Sequence, residues 1–356
     1  MVGGGTAIGA AVPVDLELLR GFGFACRPAC GLCCYAQPFV EPEERAELLQ
    51  LAPSVELVSD GAATFVAAYP EGGSCRLLSG DRCRAHAARP SPCREFPLTA
   101  HVGTRIQATV VLGCPGVDMG GISGYHGPSG ATGPRGLELE VAALRARAAG
   151  VSVERLETGR RRHRKLRRVL TQERRWADEE DVRSRLREKL PRPGPREFPA
   201  EGPPEAVEGL ENLPLWFGGN PGPLAMALAV GGWEVMELRP GGGVARSLGV
   251  YPPPARPPAL SEDGGAALEG YLRYWLERDV LFGSVQLAML SDPRGTVEEW
   301  VARDLRRVGA ITLSRARVLA ALRGAPTDPL SAGDVVAGVR ATDADLLDRP
   351  SWGQRL

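Results

Sequence analysis

All the cysteines of this 356-residue chain lie in its first third, and this clustering constrains the fold more than any other feature. The chain has eight cysteines, and none of them follows position 114. Thiols that serve only in packing would be scattered along the chain, whereas closely spaced thiolates are typical of zinc or iron–sulfur centres. The positions are Cys26, Cys30, Cys33, Cys34, Cys75, Cys83, Cys93 and Cys114. The sequence therefore predicts a metal-binding region near the N-terminus.

The beginning of the chain does not resemble an export signal. It has no basic segment ahead of an apolar one, and Asp15 and Glu17 interrupt its apolar stretch. No run of 18 apolar residues exists, so we expect no transmembrane helix. We therefore expect a cytoplasmic protein, in which reduced cysteines bind metal. Disulfide bonds remain the alternative, because some hyperthermophile proteins form them inside the cell.

The spacing of the cysteines allows one or two metal centres. Cys26, Cys30 and Cys33 are separated by intervals that match a tight loop or one helical turn, so they can surround one centre. We expect Cys34 to face elsewhere, because adjacent residues rarely face the same site. Four thiolates complete one zinc site or one [4Fe–4S] cluster, and eight could complete two. The pairs of a simple zinc ribbon are absent. His86, near Cys83, is the one histidine with a ligand-like position.

Four segments together resemble the CxxCxxCC family, which is described as zinc- or iron-chelating. They are FACRPACGLCC (24–34), EGGSCRLL (71–78), DRCRAHAARPSPCREFP (81–97) and GCPG (113–116). The block R-P-x-x-C-R-x-F-P is specific to the family and is met by Arg89, Pro90, Cys93, Arg94, Phe96 and Pro97. The resemblance implies that all eight cysteines are metal ligands. The chain departs from the family in its longer first cysteine interval and in having His86 where tyrosine is usual.

Two arginines of this block are candidates for contact with the cofactor. A cluster held by four thiolates carries net negative charge, and guanidinium groups of Arg89 and Arg94 would stabilise it and raise its reduction potential. The alternative is that these arginines form surface ion pairs with Glu95 or Asp81. The family includes the flagellin lysine-N-methylases, which resemble this chain in opening with a cysteine cluster and are thought to carry an iron–sulfur centre. Methyl transfer is therefore an alternative function, although no glycine-rich S-adenosylmethionine loop is present.

The length and periodicity of the chain predict more than one domain and an α+β fold. We expect a small cysteine-rich metal-binding domain followed by a mostly helical region with a β-hairpin. The expected divisions are 1–135 for the metal-binding domain, 136–190 for a charged helical segment, 191–204 for a proline-rich linker and 205–356 for a mostly helical C-terminal domain.

Individual elements follow from hydrophobic periodicity. Residues 104–112 predict a strand, and residues 233–251 predict a hairpin. The patterns at 265–290 and 296–322 predict amphipathic helices, and residues 216–230 end in an apolar run that resembles a helix. Glycines 150 and 159 are expected to divide the helical region 137–190.

A basic run offers the best indication of a partner. Residues 160–168, RRRHRKLRR, carry seven arginine and lysine side chains in a chain whose net charge is zero. Clustered arginines neutralise phosphates, so an RNA or acidic protein partner could bind through 155–175. The alternative is a solvated helix face that acids 178–181 neutralise.

The function that this sequence predicts is the binding of an iron–sulfur cluster, of the [4Fe–4S] type, with zinc as the alternative cofactor. A zinc-stabilised binding module that docks nucleic acid or an acidic protein is a second hypothesis. A cluster-dependent protein or RNA methyltransferase is a third. We find no nucleophile constellation and no phosphate loop, so the sequence identifies no catalytic residue.

Overall fold

The structure is a computed structural model, and its secondary structure confirms the α+β class. It describes residues 13–26, 32–35, 38–59, 64–67, 75–79, 82–123, 136–151, 153–190, 214–216, 223–229, 232–238, 244–252, 258–292, 294–324, 329–346 and 354–355. Within these residues, no helix is long and apolar enough to cross a membrane.

The strands form two four-stranded sheets and three two-stranded ribbons. In chain order they are β1 (Val14–Asp15), β2 (Gly23–Phe24), β3 (Leu57–Ser59), β4 (Thr64–Val66), β5 (Leu78–Ser79), β6 (Arg82–Cys83), β7 (Leu98–Val102), β8 (Ile106–Val110), β9 (Val117–Asp118), β10 (Pro214–Trp216), β11 (Pro223–Ala229), β12 (Gly232–Leu238), β13 (Val244–Tyr251) and β14 (Gln354–Arg355). The first sheet has the order β1-β8-β7-β14, and the second is the antiparallel meander β10-β11-β12-β13. The ribbons pair β2 with β9, β3 with β4 and β5 with β6.

Helices account for most of the rest of the described chain. They are α1 (Arg45–Leu51), α2 (Ser91–Glu95), α3 (Gly120–Ser123), α4 (Glu138–Ala148), α5 (Val153–Gln172), α6 (Glu179–Lys189), α7 (Glu262–Leu276), α8 (Asp279–Ser291), α9 (Val297–Leu322) and α10 (Ala332–Leu346). Side-chain hydrogen bonds cap the N-termini of several of these helices. Asp178 accepts from the Glu180 N–H, Ser261 from the Gly264 N–H, and Thr296 forms a reciprocal capping box with Glu299.

Several predicted elements are present, with differences that have physical causes. The strand within 104–112, the hairpin within 233–251 and the helix within 296–322 are confirmed as β8, β12–β13 and α9. The helix-like interpretation of 216–230 is wrong, because this segment contains β11. An apolar run of this length does not distinguish a helix from a strand, and here alternate residues Leu224 and Met226 are buried.

Two helix boundaries also differ from the sequence patterns. The pattern at 265–290 is interrupted between α7 and α8, because Arg278 adopts an extended conformation there. The buried side chain of Arg278 lies in the core and forms an ion pair with the Asp343 carboxylate. Gly150 follows the end of α4 as predicted, but Gly159 lies inside α5 and does not break it.

The main hydrophobic core takes side chains from both sides of the predicted linker. Leu98, Ile106 and Val110 of the first sheet are buried in the same cluster as Leu272 of α7 and Val335 of α10. A second cluster packs the meander against α9, and a third, smaller one lies among the cysteines. The predicted domain divisions stay a prediction, but the first sheet and the C-terminal helices share one core.

A buried ion pair connects the first sheet to the C-terminal helices. Arg278 and Asp343 are completely buried, and Nη1 of the arginine lies 2.8 Å from Oδ1 of the aspartate. Oδ2 of Asp343 accepts the N–H of Leu112 at 2.8 Å, just beyond β8. The hydroxyl of Tyr274 accepts the Val110 N–H at 2.8 Å, and the Arg278 guanidinium lies over the Tyr274 ring. These contacts give partners to the buried N–H groups of Val110 and Leu112, whereas Nε and Nη1 of Arg278 have no hydrogen-bond partner among the described residues.

Replacement of Asp343 by alanine is expected to lower the free energy of unfolding by about 3–5 kcal/mol. The Arg278 charge would remain in a site without water, and the Leu112 N–H would lose its acceptor. Urea unfolding followed by circular dichroism measures the loss. The control is Arg246→Ala, which removes the exposed partner of Glu237 and should cost less than about 1 kcal/mol. Equal small losses in both variants would contradict this role of the buried pair.

Candidate metal centre

Cys33 and Cys34 lie together on a short 3₁₀ helix, Leu32–Tyr35. The expectation that Cys34 faces away from its neighbour is wrong, because its thiol donates a hydrogen bond to the sulfur of Cys33. A 3₁₀ helix turns successive side chains by about 120°, and in this turn the two thiols are still in contact. The Cys34 carbonyl also accepts the Cys75 N–H at 2.6 Å, which brings the second cysteine segment to the first.

The β5–β6 ribbon brings Cys83 to the same place. Its register pairs Leu78 with Cys83, and Cys75 stands just before β5. The Cys75 sulfur accepts the Leu77 N–H at 3.4 Å. Cys34, Cys75 and Cys83 all pack in or against the small core that includes Leu48 and Val66. Apolar side chains therefore surround one side of the thiol group.

The R-P-x-x-C-R-x-F-P block forms a loop followed by α2. Cys93 lies in α2, and Arg89 precedes the helix. Glu44 holds this block in place, since its carboxylate accepts the Ser91 N–H at 3.0 Å and pairs with the Arg94 guanidinium at 2.6 Å. Arg94 also donates to the Arg89 carbonyl at 2.8 Å. Arg94 thus pairs with Glu44 and fixes the backbone of Arg89, whereas Glu95 pairs with Arg147 and Asp81 lies outside the described residues.

Six cysteines from these segments lie close enough for the charge or hydrogen bond of one to alter the ionisation of another. Cys33 interacts in this way with Cys26, Cys34, Cys75, Cys83 and Cys93. The Cys34 hydrogen bond lowers the pKa of Cys33 to about 7. Burial raises the pKa of Cys75 to about 11, and it also raises the pKa of Cys93. Cys33 is therefore the thiol that ionises first in this group.

Arg89 is the cation that faces the thiols. Its positive charge lowers the pKa of Cys33 and opposes the burial effect at Cys26, Cys83 and Cys93. Its Nε–H is buried and has no hydrogen-bond partner among the described residues. A buried donor without an acceptor is costly, so this atom indicates a ligand site.

Glu140 of α4 is a residue of this site that the sequence did not indicate. Its charge interacts with Cys26 and with Arg89, and burial raises the pKa of its carboxyl. Its Oε2 is buried without a hydrogen-bond partner in the described part of the chain. Glu140 lies in the helical segment outside the cysteine motifs, and no spacing relates it to them. Glu44 was missed for the same reason, since its role depends on a tertiary contact.

The β2–β9 ribbon brings the ends of the cysteine region together. Its register pairs Phe24 with Val117, and the Ala25 N–H donates to the Gly116 carbonyl at 3.0 Å. Cys26 therefore lies beside the turn that contains Cys114. Arg340 of α10 holds that turn by donating to the carbonyls of Cys114 and Val117, the latter at 2.9 Å.

The predicted ligands differ in their surroundings. Cys26 is exposed, whereas Cys75 and Cys114 are buried, and no described cysteine is in a disulfide. Cys30 lies outside the described residues, and His86 is exposed on a short 3₁₀ helix. Among the described residues, no three cysteine, histidine or carboxylate side chains stand at the separation of ligands on a single metal ion.

The comparison with protein families identifies the same part of the chain. Residues 25–112 match the CxxCxxCC family, described as a zinc- or iron-chelating domain. The match includes seven of the eight predicted ligands, and Cys114 lies shortly beyond it. Searches of curated proteins and of solved structures found no match to the chain. Residues 25–112 therefore match a zinc- or iron-chelating domain, which supports metal binding by this part of the chain.

Proposed function

We propose that this protein binds an iron–sulfur cluster of the [4Fe–4S] type through thiolates of the group around Cys33. The buried Nε–H of Arg89 carries this proposal. It has no acceptor among the described residues, while the charge of Arg89 acts on Cys26, Cys33, Cys83 and Cys93. Cluster sulfides and ligating thiolates accept such hydrogen bonds, which tune the reduction potential of iron–sulfur centres.

The separate origins of the thiols favour a cluster over one zinc ion. Zinc sites commonly take ligands as close pairs from C-x₂₋₄-C turns. Here Cys75, Cys83 and Cys93 come singly from separate segments that converge on Cys33. Each iron of a four-iron cluster binds one thiolate, so single thiols from different directions suit its ligation.

The surroundings of the thiols fit an electron-transfer role. When bound, an iron–sulfur cluster supplies one-electron redox chemistry. Cys34, Cys75 and Cys83 lie against apolar side chains, which would exclude water from that side. Cys26 is exposed and lies near Glu140 and Arg89, so this side would be open to a redox partner. Arg89 would offset the negative charge of a thiolate-ligated cluster.

The zinc-stabilised binding module remains the competing hypothesis, because the same thiolates could hold zinc and stabilise the small core around them. Metal identity separates the two hypotheses. Methyl transfer is not supported by any contact in the described chain, and the glycines at 241–243 lie outside the described residues.

Protein purified without oxygen is expected to contain about four iron and four sulfide ions per chain, and to show a broad visible absorption that dithionite bleaches. Cys33→Ser should lose most of the iron and the absorption, because it removes the thiol with which the others interact. The control Val66→Ala weakens the same small core without removing a thiol, and should keep its iron. Colourless wild-type protein with stoichiometric zinc would refute the iron–sulfur proposal.

Replacement of Arg89 by methionine is expected to lower the reduction potential of the cluster by roughly 50–100 mV, because reduction adds negative charge that the guanidinium stabilises. The control is Arg94→Met, in the same block, whose guanidinium pairs with Glu44. Arg94→Met should change the free energy of unfolding more than the reduction potential of the cluster. Potentiometric titration followed by electron paramagnetic resonance measures both variants. Equal shifts would show that Arg89 has no special contact with the cluster.

A further inference from the structure

The outward face of α5 carries a strip of positive charge. The exposed basic residues are Arg161, Arg162, Arg164, Lys165 and Arg168. At 100° per residue, positions 161, 164, 165 and 168 fall on one side of the helix. Arg161 and Arg168 are about 10 Å apart along the axis. We name the four residues at these positions the basic strip.

The opposite face of α5 fixes the direction in which the basic strip points. Leu156 and Leu170 are buried in the main core. His163 is also buried and hydrogen bonds with the buried Gln286 of α8, at 3.0–3.2 Å. Burial lowers the pKa of His163, so it adds no charge at neutral pH. The basic strip therefore faces outward on a helix that is anchored along its length.

The nearby acids form their ion pairs with other basic residues, although the charge of Glu157 also acts on Arg161 and Arg164. Glu157 pairs with Arg160 at 2.6 Å, and Asp178 lies 3.5 Å from Arg167. Glu180 pairs with Arg187 at 2.9 Å. No ion pair among the described residues includes a member of the basic strip, and Arg161 donates only to the Thr158 hydroxyl. The acids at 178–181 thus do not neutralise it.

We propose that the basic strip binds the phosphate backbone of double-helical RNA. The basic strip places four cations within about two turns of the helix. Such a dense row of positive charge suits the regularly spaced phosphates of a nucleic-acid backbone. Single-stranded nucleic acid is less suited, because its binding sites stack bases on aromatic side chains. The sequence of α5 has no phenylalanine, tyrosine or tryptophan, and both His163 and the nearby Trp176 are buried.

The form of the duplex follows from the shape of the strip. The major groove of an A-form helix is deep and narrow, so the phosphates of its two strands face one another across a short gap. A short, dense row of cations can contact both of these phosphate rows. The contacts proposed here are to phosphates and not to base edges. Recognition would therefore depend on backbone shape rather than on base sequence.

The test uses the full chain, purified without oxygen, and a fluorescent RNA duplex of about 20 base pairs, long enough for a footprint of roughly 16 base pairs. Four phosphate contacts predict binding about 100-fold weaker in 200 mM than in 50 mM salt. Substitution of the basic strip by glutamine (Arg161, Arg164, Lys165 and Arg168) should weaken binding by at least about 30-fold at 50 mM salt.

A matched control removes the same charges from elsewhere on the surface. It replaces three exposed arginines and one exposed lysine by glutamine, namely Arg20, Arg185, Arg294 and Lys189. This control should bind within about twofold of the wild type, since it leaves the phosphate contacts intact. A DNA duplex of the same sequence should bind more weakly than the RNA.

Several results would overturn the proposal. One is wild-type binding in 50 mM salt that is too weak to detect at about 10 µM protein, a concentration in the middle of the range of non-specific dissociation constants at physiological salt. Another is an equal loss in the control variant. A DNA duplex that binds as well as the RNA would reject the A-form preference. Competition by polyglutamate as effective as that by unlabelled RNA would assign the surface to an acidic protein.

Discussion

The buried pair of Arg278 and Asp343 is the interaction on which the arrangement of the chain depends. The two side chains are completely buried, and Asp343 also accepts the N–H of Leu112 at the end of the first sheet. An isolated charge at this depth would be strongly unfavourable. The ion pair therefore requires α7, α8 and α10 to pack against β8 in one fixed arrangement. The extended backbone at Arg278 that separates α7 from α8 follows from the same requirement.

The same packing also fixes the position of one part of the cysteine region. The turn that contains Cys114 follows Leu112 directly, and Arg340 of α10 donates to its carbonyls. The turn then pairs with the segment that leads to Cys26. The thiols around Cys33, by contrast, rest on a small core of their own. A core of that size contributes little free energy alone, so bound metal would supply part of the stability of this region.

The sequence was informative where chemistry depends on local spacing. The cysteine positions and the R-P-x-x-C-R-x-F-P block led to the metal-binding domain and to Arg89. It was less informative where position depends on tertiary contacts. Glu140 acts on Cys26 from α4, and Glu44, just before α1, holds the block that contains Arg89. Nothing in their sequence neighbourhood marks either residue. The sequence of β11 resembles that of a helix because a short apolar run does not reveal its period. Asp178 and Glu180 could be assigned to their partners, Arg167 and Arg187, only from the structure.

The proposal of an iron–sulfur cluster is tested most directly by X-ray absorption at the iron and zinc edges, on protein purified without oxygen. The account predicts iron with four sulfur neighbours and a second shell of iron atoms, because each iron of a four-iron cluster is bonded to sulfur and lies beside other irons. Stoichiometric zinc surrounded by sulfur, with no iron–iron scattering, would contradict it.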